Sequence, residues 1–129
     1  MALTELTKNL LRIFAGLMFW QHGAQKLFGW LGGNAVGGWF SWPLGFAGLL
    51  EFFGGALILL GLFTRPVAFL LAGQMAVAFW WRHFPNGFWP IQNGGELAVL
   101  YTFIFLFLVA HGGGDFSVDG WRKKRGPSQ

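Results

Sequence analysis

The sequence predicts an all-α integral membrane protein, an up-down bundle of four helices with both termini in the cytoplasm. Three observations lead there. Charged residues make up only 11% of the 129 residues, against roughly 25% in an ordinary soluble domain. Four segments meet the length needed to cross a bilayer, about 17–25 mostly apolar residues. The basic residues collect at one set of helix ends, as loops on the cytoplasmic side require. A hydrophobic content of 54% with 19% aromatic residues excludes a disordered chain. The absence of cysteine excludes a disulfide scaffold, a zinc–thiolate site and a thiol nucleophile. The length allows one domain, 1–129.

The first span is expected over residues 9–28. It is too long for a signal peptide, carries Arg12, His22 and Lys26, and has no small-residue cleavage site behind it. The second span covers 44–63, after Pro43, and the third covers 66–84, opened by Pro66, where a missing N–H is harmless. Thr64 and Arg65 alone separate the two, which predicts a tight antiparallel hairpin. The fourth span covers 95–111. Asn93 is its expected N-cap, Glu96 lies in its first turn, and Gly112, Gly113 and Gly114 end it. The Gly- and Trp-rich connection 29–43 reads as a re-entrant or interfacial segment. Residues 112–129 read as a cytoplasmic basic tail.

With termini inside, Lys8, Arg12, Arg65 and the run Arg122–Arg125 place seven of the nine basic residues on the inner side. The net charge of +4 therefore resides there, as a topology signal that also meets anionic headgroups. A nucleic-acid partner is excluded, because no soluble module carries a basic face. Tryptophan shows the opposite bias: Trp30, Trp39, Trp42, Trp80, Trp81 and Trp89 lie at the outer ends. They form an interfacial belt, or an aromatic rim (Trp30, Trp39, Trp42, Trp81, Trp89) around a flat ligand such as a quinone ring.

Ionisable residues inside spans mark either function or a structural pair. His22 and Lys26 share one helix face near the outer end of the first span, with Gln25 beside them. Glu51 lies a third of the way into the second span, flanked on its face by Ala47 and Gly55, so it points at another helix. Arg82 and His83 end the third span, and Asn93 and Glu96 begin the fourth, all on the outer side. These seven residues form the candidate ligand-binding pocket. Glu96 is expected to pair with Lys26 or Arg82, leaving Glu51 deeper. In the structural alternative the same charges merely lock the helices in register. A proton relay through Glu51 and His22 is a further alternative. No metal site is assigned, since no helix fixes two ligands at metal-binding spacing. No catalytic residue is assigned either: there is no Ser/His/Asp context and no Walker-type phosphate loop. Gln74 is expected to bond across a helix interface, and the row Ala68, Ala72, Ala76 offers a face for a second copy.

The motifs His22-Gly23-x-x-Lys26-Leu27-Phe28, Glu51-x-x-Gly54-Gly55, Gly61-Leu62-Phe63-Thr64-Arg65 and Asn93-Gly94-Gly95-Glu96 follow in order. Tyr101 and the stretch Gly112–Asp119 come after them. In this order they resemble the DoxX family of small four-helix bacterial and archaeal membrane proteins. The resemblance implies a multi-pass inner-membrane protein related to the DoxD subunits of thiosulfate:quinone oxidoreductases, and it brings no agreed catalytic residues. The expected function is an accessory or quinone- or lipid-binding subunit of a membrane redox system, quinone being the one cofactor candidate. The expected partners are the bilayer and a second copy or a larger redox complex. The alternatives are a small proton-coupled transporter with Glu51 as the protonated group, and a purely structural membrane partner.

Overall fold

The computed structural model describes residues 2–125, which are helical and loop, with no strand among them. Helix α1 (Leu3–Phe28) begins six residues before the expected 9–28 span. Its polar first turns are supported by the Lys8–Glu5 ion pair at 2.9 Å and by Thr7 bonding back to Leu3 O. It ends where Gly29 turns left-handed at φ 71 and donates its N–H to Gln25 O.

The second rod is α2 (Leu44–Leu49), a π turn (Leu50–Gly54) and α3 (Gly55–Leu60). Backbone angles at the joins, Leu50 and Gly55, are right-handed helical, so the rod continues through the π turn. It stops at Gly61 (φ 70), short of the expected residue 63. The hairpin turn is Gly61–Phe63 and not Thr64–Arg65, because Phe63 also takes a left-handed conformation (φ 52) and Thr64 is already helical. The third rod is α4 (Thr64–Ala78) followed by a π turn (Phe79–His83). A short α5 (Pro90–Asn93) precedes α6 (Glu96–His111). Asn93 is not the N-cap of α6. It closes α5, and its Oδ1 accepts the N–H of Gly95, the residue that stands at the cap position. The expected plain tail is instead partly folded into α7 (Val118–Arg125); its last residues, 126–129, lie outside the described part.

Neighbouring rods run antiparallel. Glycines set the closest approach: a Cβ on Gly23 would overlap the backbone nitrogen of Phe52, and one on Gly55 would lie 2.7 Å from the backbone of Trp20. Helix α4 packs along α6, with Leu71, Ala68 and Ala72 buried in the core beside Phe105 and Leu108. Ala68 and Ala72 therefore do not form a face for a second copy, since α6 of the same chain already occupies the groove their small side chains leave. Phe19 joins α1 to this core, edge-on to Tyr101 at 5.0 Å and to Phe105 at 4.9 Å.

No helix among the described residues is long and apolar enough to cross a membrane. Helix α1 has the length but begins in polar turns, α6 has the apolarity over 16 residues, and π turns divide the two middle rods. The outward faces are nevertheless apolar, with Phe14, Leu17, Phe69, Leu70, Leu100 and Phe103 exposed.

At the end of the fold that carries both termini, Arg12 is 2% exposed. Its guanidinium donates to Gly113 O at 2.7 Å and Phe116 O at 2.8 Å. Asp119 of α7 accepts the N–H groups of Phe63 and Thr64, both at 2.8 Å, and so caps α4. Nothing in the hydropathy pattern signals this clasp, because Arg12 and Asp119 read simply as charges of the inner side.

Candidate functional site

The site lies toward the opposite end, and its geometry begins with small residues. Gly23 on α1 and Gly48 on α2 bring the two backbones together: a Cβ on Gly48 would press on Lys26 Cβ and Leu27 at 3.0 Å. Lys26, one turn beyond Gly23, then reaches straight across to Glu51. Its Nζ lies 2.6 and 2.8 Å from the two carboxylate oxygens. The Glu51 side chain is 3% exposed and that of Lys26 is 30% exposed. Gln74 of α4 completes the cluster, donating Nε2 to Glu51 Oε2 at 3.0 Å, the cross-helix bond expected of it. Because a carboxylate only accepts, this bond fixes the amide orientation and turns Gln74 Oε1 away from Glu51.

Pairing of Lys26 with Glu51 replaces the expected pairing with Glu96. Glu96 begins α6 on the exposed surface, whereas α1 is held against the second rod by its glycines. A buried carboxylate without a cation would be costly, and Lys26 with the Gln74 amide meets that need.

Above this polar floor lies a cavity of about 760 Å³. His22, Lys26, Glu51, Gln74 and Tyr101 form its polar lining. Phe19, Leu50 and Met75 line its inner wall, and the exposed Phe46, Phe69, Leu70 and Val77 stand toward its open side. Trp42 and Trp81 meet at the rim, ring centres 5.9 Å apart. Arg82 and His83 also reach the lining. His83 Nδ1 faces Asn93 O at 3.3 Å. Gln74 and Tyr101 of this lining each carry a polar atom, Oε1 and the hydroxyl, that is enclosed by the protein and has no hydrogen-bond partner.

The expected set thus divides. His22, Lys26, Glu51, Arg82 and His83 come together on the cavity. Asn93 is buried outside it, donating to Gly87 O at 2.9 Å and holding the turn before α6. Glu96 is exposed and lies off the cavity wall. Of the aromatic rim, Trp42 and Trp81 line the cavity, but Trp30, Trp39 and Trp89 do not. Trp30 stacks on Phe28 at 4.5 Å, Trp39 donates its indole N–H to Leu27 O at 3.1 Å, and Trp89 meets Phe88 edge-on. Those contacts secure the connections at this end of the fold. Tyr101 and Gln74 are the site residues that the expected set omits. Tyr101 lies on the same face of α6 as the core residues Phe105 and Leu108, so periodicity alone makes it a core residue.

The π turns are a second feature invisible in the sequence. Glu51 sits in one, and Arg82 and His83 in the other. Such turns are rare and recur at functional sites. Both of these supply residues to the same cavity.

A second depression of about 690 Å³ lies at the end with the termini, lined by Lys8, Arg65 and Lys124 but also by Glu5, Asp115 and Asp119. Its acids are engaged: Glu5 Oε1 accepts the Asp115 N–H, and Asp119 caps α4.

Comparison with known proteins gives two matches. The sequence profile of a family described as DoxX matches residues 7–84. An uncharacterized protein of Haemophilus influenzae is 42% identical over 116 residues, covering 84% of this chain and 85% of its own length. No solved structure matches the chain.

Proposed function

The chain belongs to the DoxX family, a family of membrane proteins, and we propose that its cavity holds a quinone or related isoprenoid lipid for a membrane redox system. In this reading the protein is a single domain, 1–129, that crosses a bacterial or archaeal inner membrane four times as an up-down bundle. Both termini and the segment 112–129 face the cytoplasm.

The observation that carries the ligand reading is the polar floor of Lys26, Glu51 and Gln74 beneath largely apolar cavity walls. Binding sites for small amphiphiles share that design, with mostly apolar walls and a few placed polar groups. The membrane reading is supported by rod length and by surface. The second rod measures about 25 Å and the third about 30 Å when followed through their π turns, against a hydrocarbon core of about 30 Å. Exposed Phe69, Leu100 and Phe103 would make a poor surface in water and a good one in lipid. Without cysteine, any thiol chemistry in such a system belongs to a partner subunit.

Two measurements test the proposal. Single cysteines introduced into the cysteine-free chain at Asn86 and Trp121 should meet an impermeant maleimide from opposite sides. Protein extracted in mild detergent should release an isoprenoid lipid near one per chain on solvent extraction. Labelling of both cysteines from one side contradicts the topology, and consistently empty protein contradicts the ligand.

A further inference from the structure

We propose that the depression at the end carrying the termini binds the phosphate of an anionic phospholipid. The proposal rests on the membrane reading above, which puts this end at the cytoplasmic headgroups. It is independent of what fills the larger cavity.

The acids of this depression are committed within the protein. Glu5 Oε2 meets Lys8 Nζ at 2.9 Å, and its Oε1 accepts the N–H of Asp115. Asp115 Oδ1 accepts from Asn9, and both oxygens of Asp119 accept from the start of α4. The remaining cations are not committed in this way. Arg65, Lys123 and Lys124 line the depression, are exposed, and make no ion pair among the described residues. Lys124 stands near Asp115 without pairing with it. Arg65 uses Nη1 on the last-turn carbonyls of α6, Val109 O at 3.3 Å and Ala110 O at 3.0 Å. Its Nε and Nη2 hold no hydrogen bond among the described residues, and each lies 3.4 Å from where a Cβ on Gly112 would stand. That free edge is the fork with which arginine meets a phosphate.

The lysines are positioned by a docked helix. Asp119 donates its own N–H to Gly61 O at 2.8 Å and caps α4 with its side chain, so α7 is fixed to the hairpin turn. Gly120 packs on Asp115, where a Cβ would overlap the carbonyl oxygen. Lys123 and Lys124 follow Gly120 by three and four residues, so they share its helix face and line the same depression. Arg122 stays off that lining, over the Phe63 ring at 5.3 Å.

The surroundings suit a lipid better than a free anion. Phe63 and Pro66 give the depression an exposed apolar border, and Phe116 and Trp121 stand exposed on the segment that carries the lysines. Aromatic side chains settle at the membrane interface, and basic pockets on the cytoplasmic side take up anionic headgroups.

The test is native mass spectrometry of the full chain in detergent. The probes are phosphatidylglycerol, phosphatidylcholine with the same tails, and inorganic phosphate. The expected result is one saturable phosphatidylglycerol, bound at least about tenfold tighter than phosphatidylcholine and weakened by salt. Lys124→Gln should weaken this first site about fivefold, and Lys123→Gln gives a second, independent probe. Arg122→Gln removes the same charge from the same helix and should leave the site nearly unchanged, with all three variants unfolding close to wild type. Tight binding of inorganic phosphate with no preference between the two lipids overturns the lipid as occupant. Equal weakening by Lys124→Gln and Arg122→Gln reduces the effect to the general charge of the tail and overturns the proposal, as does absence of a saturable first site. None of these outcomes touches the topology, which the paired maleimide labels test on their own.

Discussion

Lys26 Nζ bridges both carboxylate oxygens of Glu51, at 2.6 and 2.8 Å, and joins α1 to the second rod at the floor of the cavity. The two members of this pair are unequally placed, since Glu51 is almost fully enclosed and Lys26 keeps 30% of its side-chain exposure. Removing the lysine strands a buried acid, whereas neutralising the acid leaves an amine that reaches solvent. Lys26→Met should therefore destabilise by about 3 kcal/mol, the low end for a broken buried pair, and Glu51→Gln by clearly less. The double variant Lys26→Met with Glu51→Leu should recover part of the loss. Thermal unfolding of the three variants in detergent decides, and a silent Lys26→Met would remove the pair from the account.

Gly23 permits that pair, because its missing Cβ lets α1 lie on the backbone of Phe52. Gly23→Leu should cost more than about 3 kcal/mol, since backbone must move to admit it. Gly73→Ala is the control, as nothing lies within 4 Å of its added Cβ. The folded fraction after solubilisation should fall sharply for the first and hold for the second.

Asp119 accepts two N–H groups at the start of α4, where the helix dipole also favours a negative charge. Asp119→Ala should cost about 1–2 kcal/mol, as the loss of a good cap does. Hydrogen exchange should quicken at the amides of Phe63 and Thr64 before it changes in the core.

Asp115 supplies a pH dependence. Asn9 Nδ2 donates to its Oδ1 at 2.9 Å and holds the carboxyl below its ordinary value of 3.8, with Lys124 adding to the effect. A carboxyl whose folded value is depressed stabilises the fold above its unfolded value and loses that contribution as pH falls through the folded one. The thermal midpoint should therefore drop on acidification below 3.8. Asp115→Asn should flatten that share of the acid limb, lowering the midpoint at neutral pH, where the charged carboxylate contributes, and leaving the acid end nearly unchanged.

Much of the fold can be read from the sequence because glycine, proline and hydropathy mark the ends of helices locally. The α6 stop at Gly112 and the start of the second rod at Leu44 are of this kind. Residue order also gives depth along the rods, which is why His22, Lys26, Glu51, Arg82 and His83 are all recognisable as one group. It does not give direction around a helix axis. Glu96 has the right depth to meet Lys26 but stands on the exposed face of α6, and Ala68 and Ala72 mark a contact without naming α6 as the partner. Arg12 escapes for a different reason. Its partners are the carbonyls of Gly113 and Phe116, and a backbone acceptor leaves no trace in composition or spacing.

The central claim, that a membrane lipid occupies the space between the rods, is tested most directly by a photo-crosslink from Gly73. This residue lines the cavity, is exposed, and has open space where a side chain would begin. Benzoylphenylalanine placed there and irradiated in native membranes should gain the mass of an isoprenoid lipid. The same group at Phe103, exposed on α6 and away from the cavity, should gain bulk phospholipid only. Identical adducts at both positions, or no isoprenoid adduct at Gly73, would contradict the account.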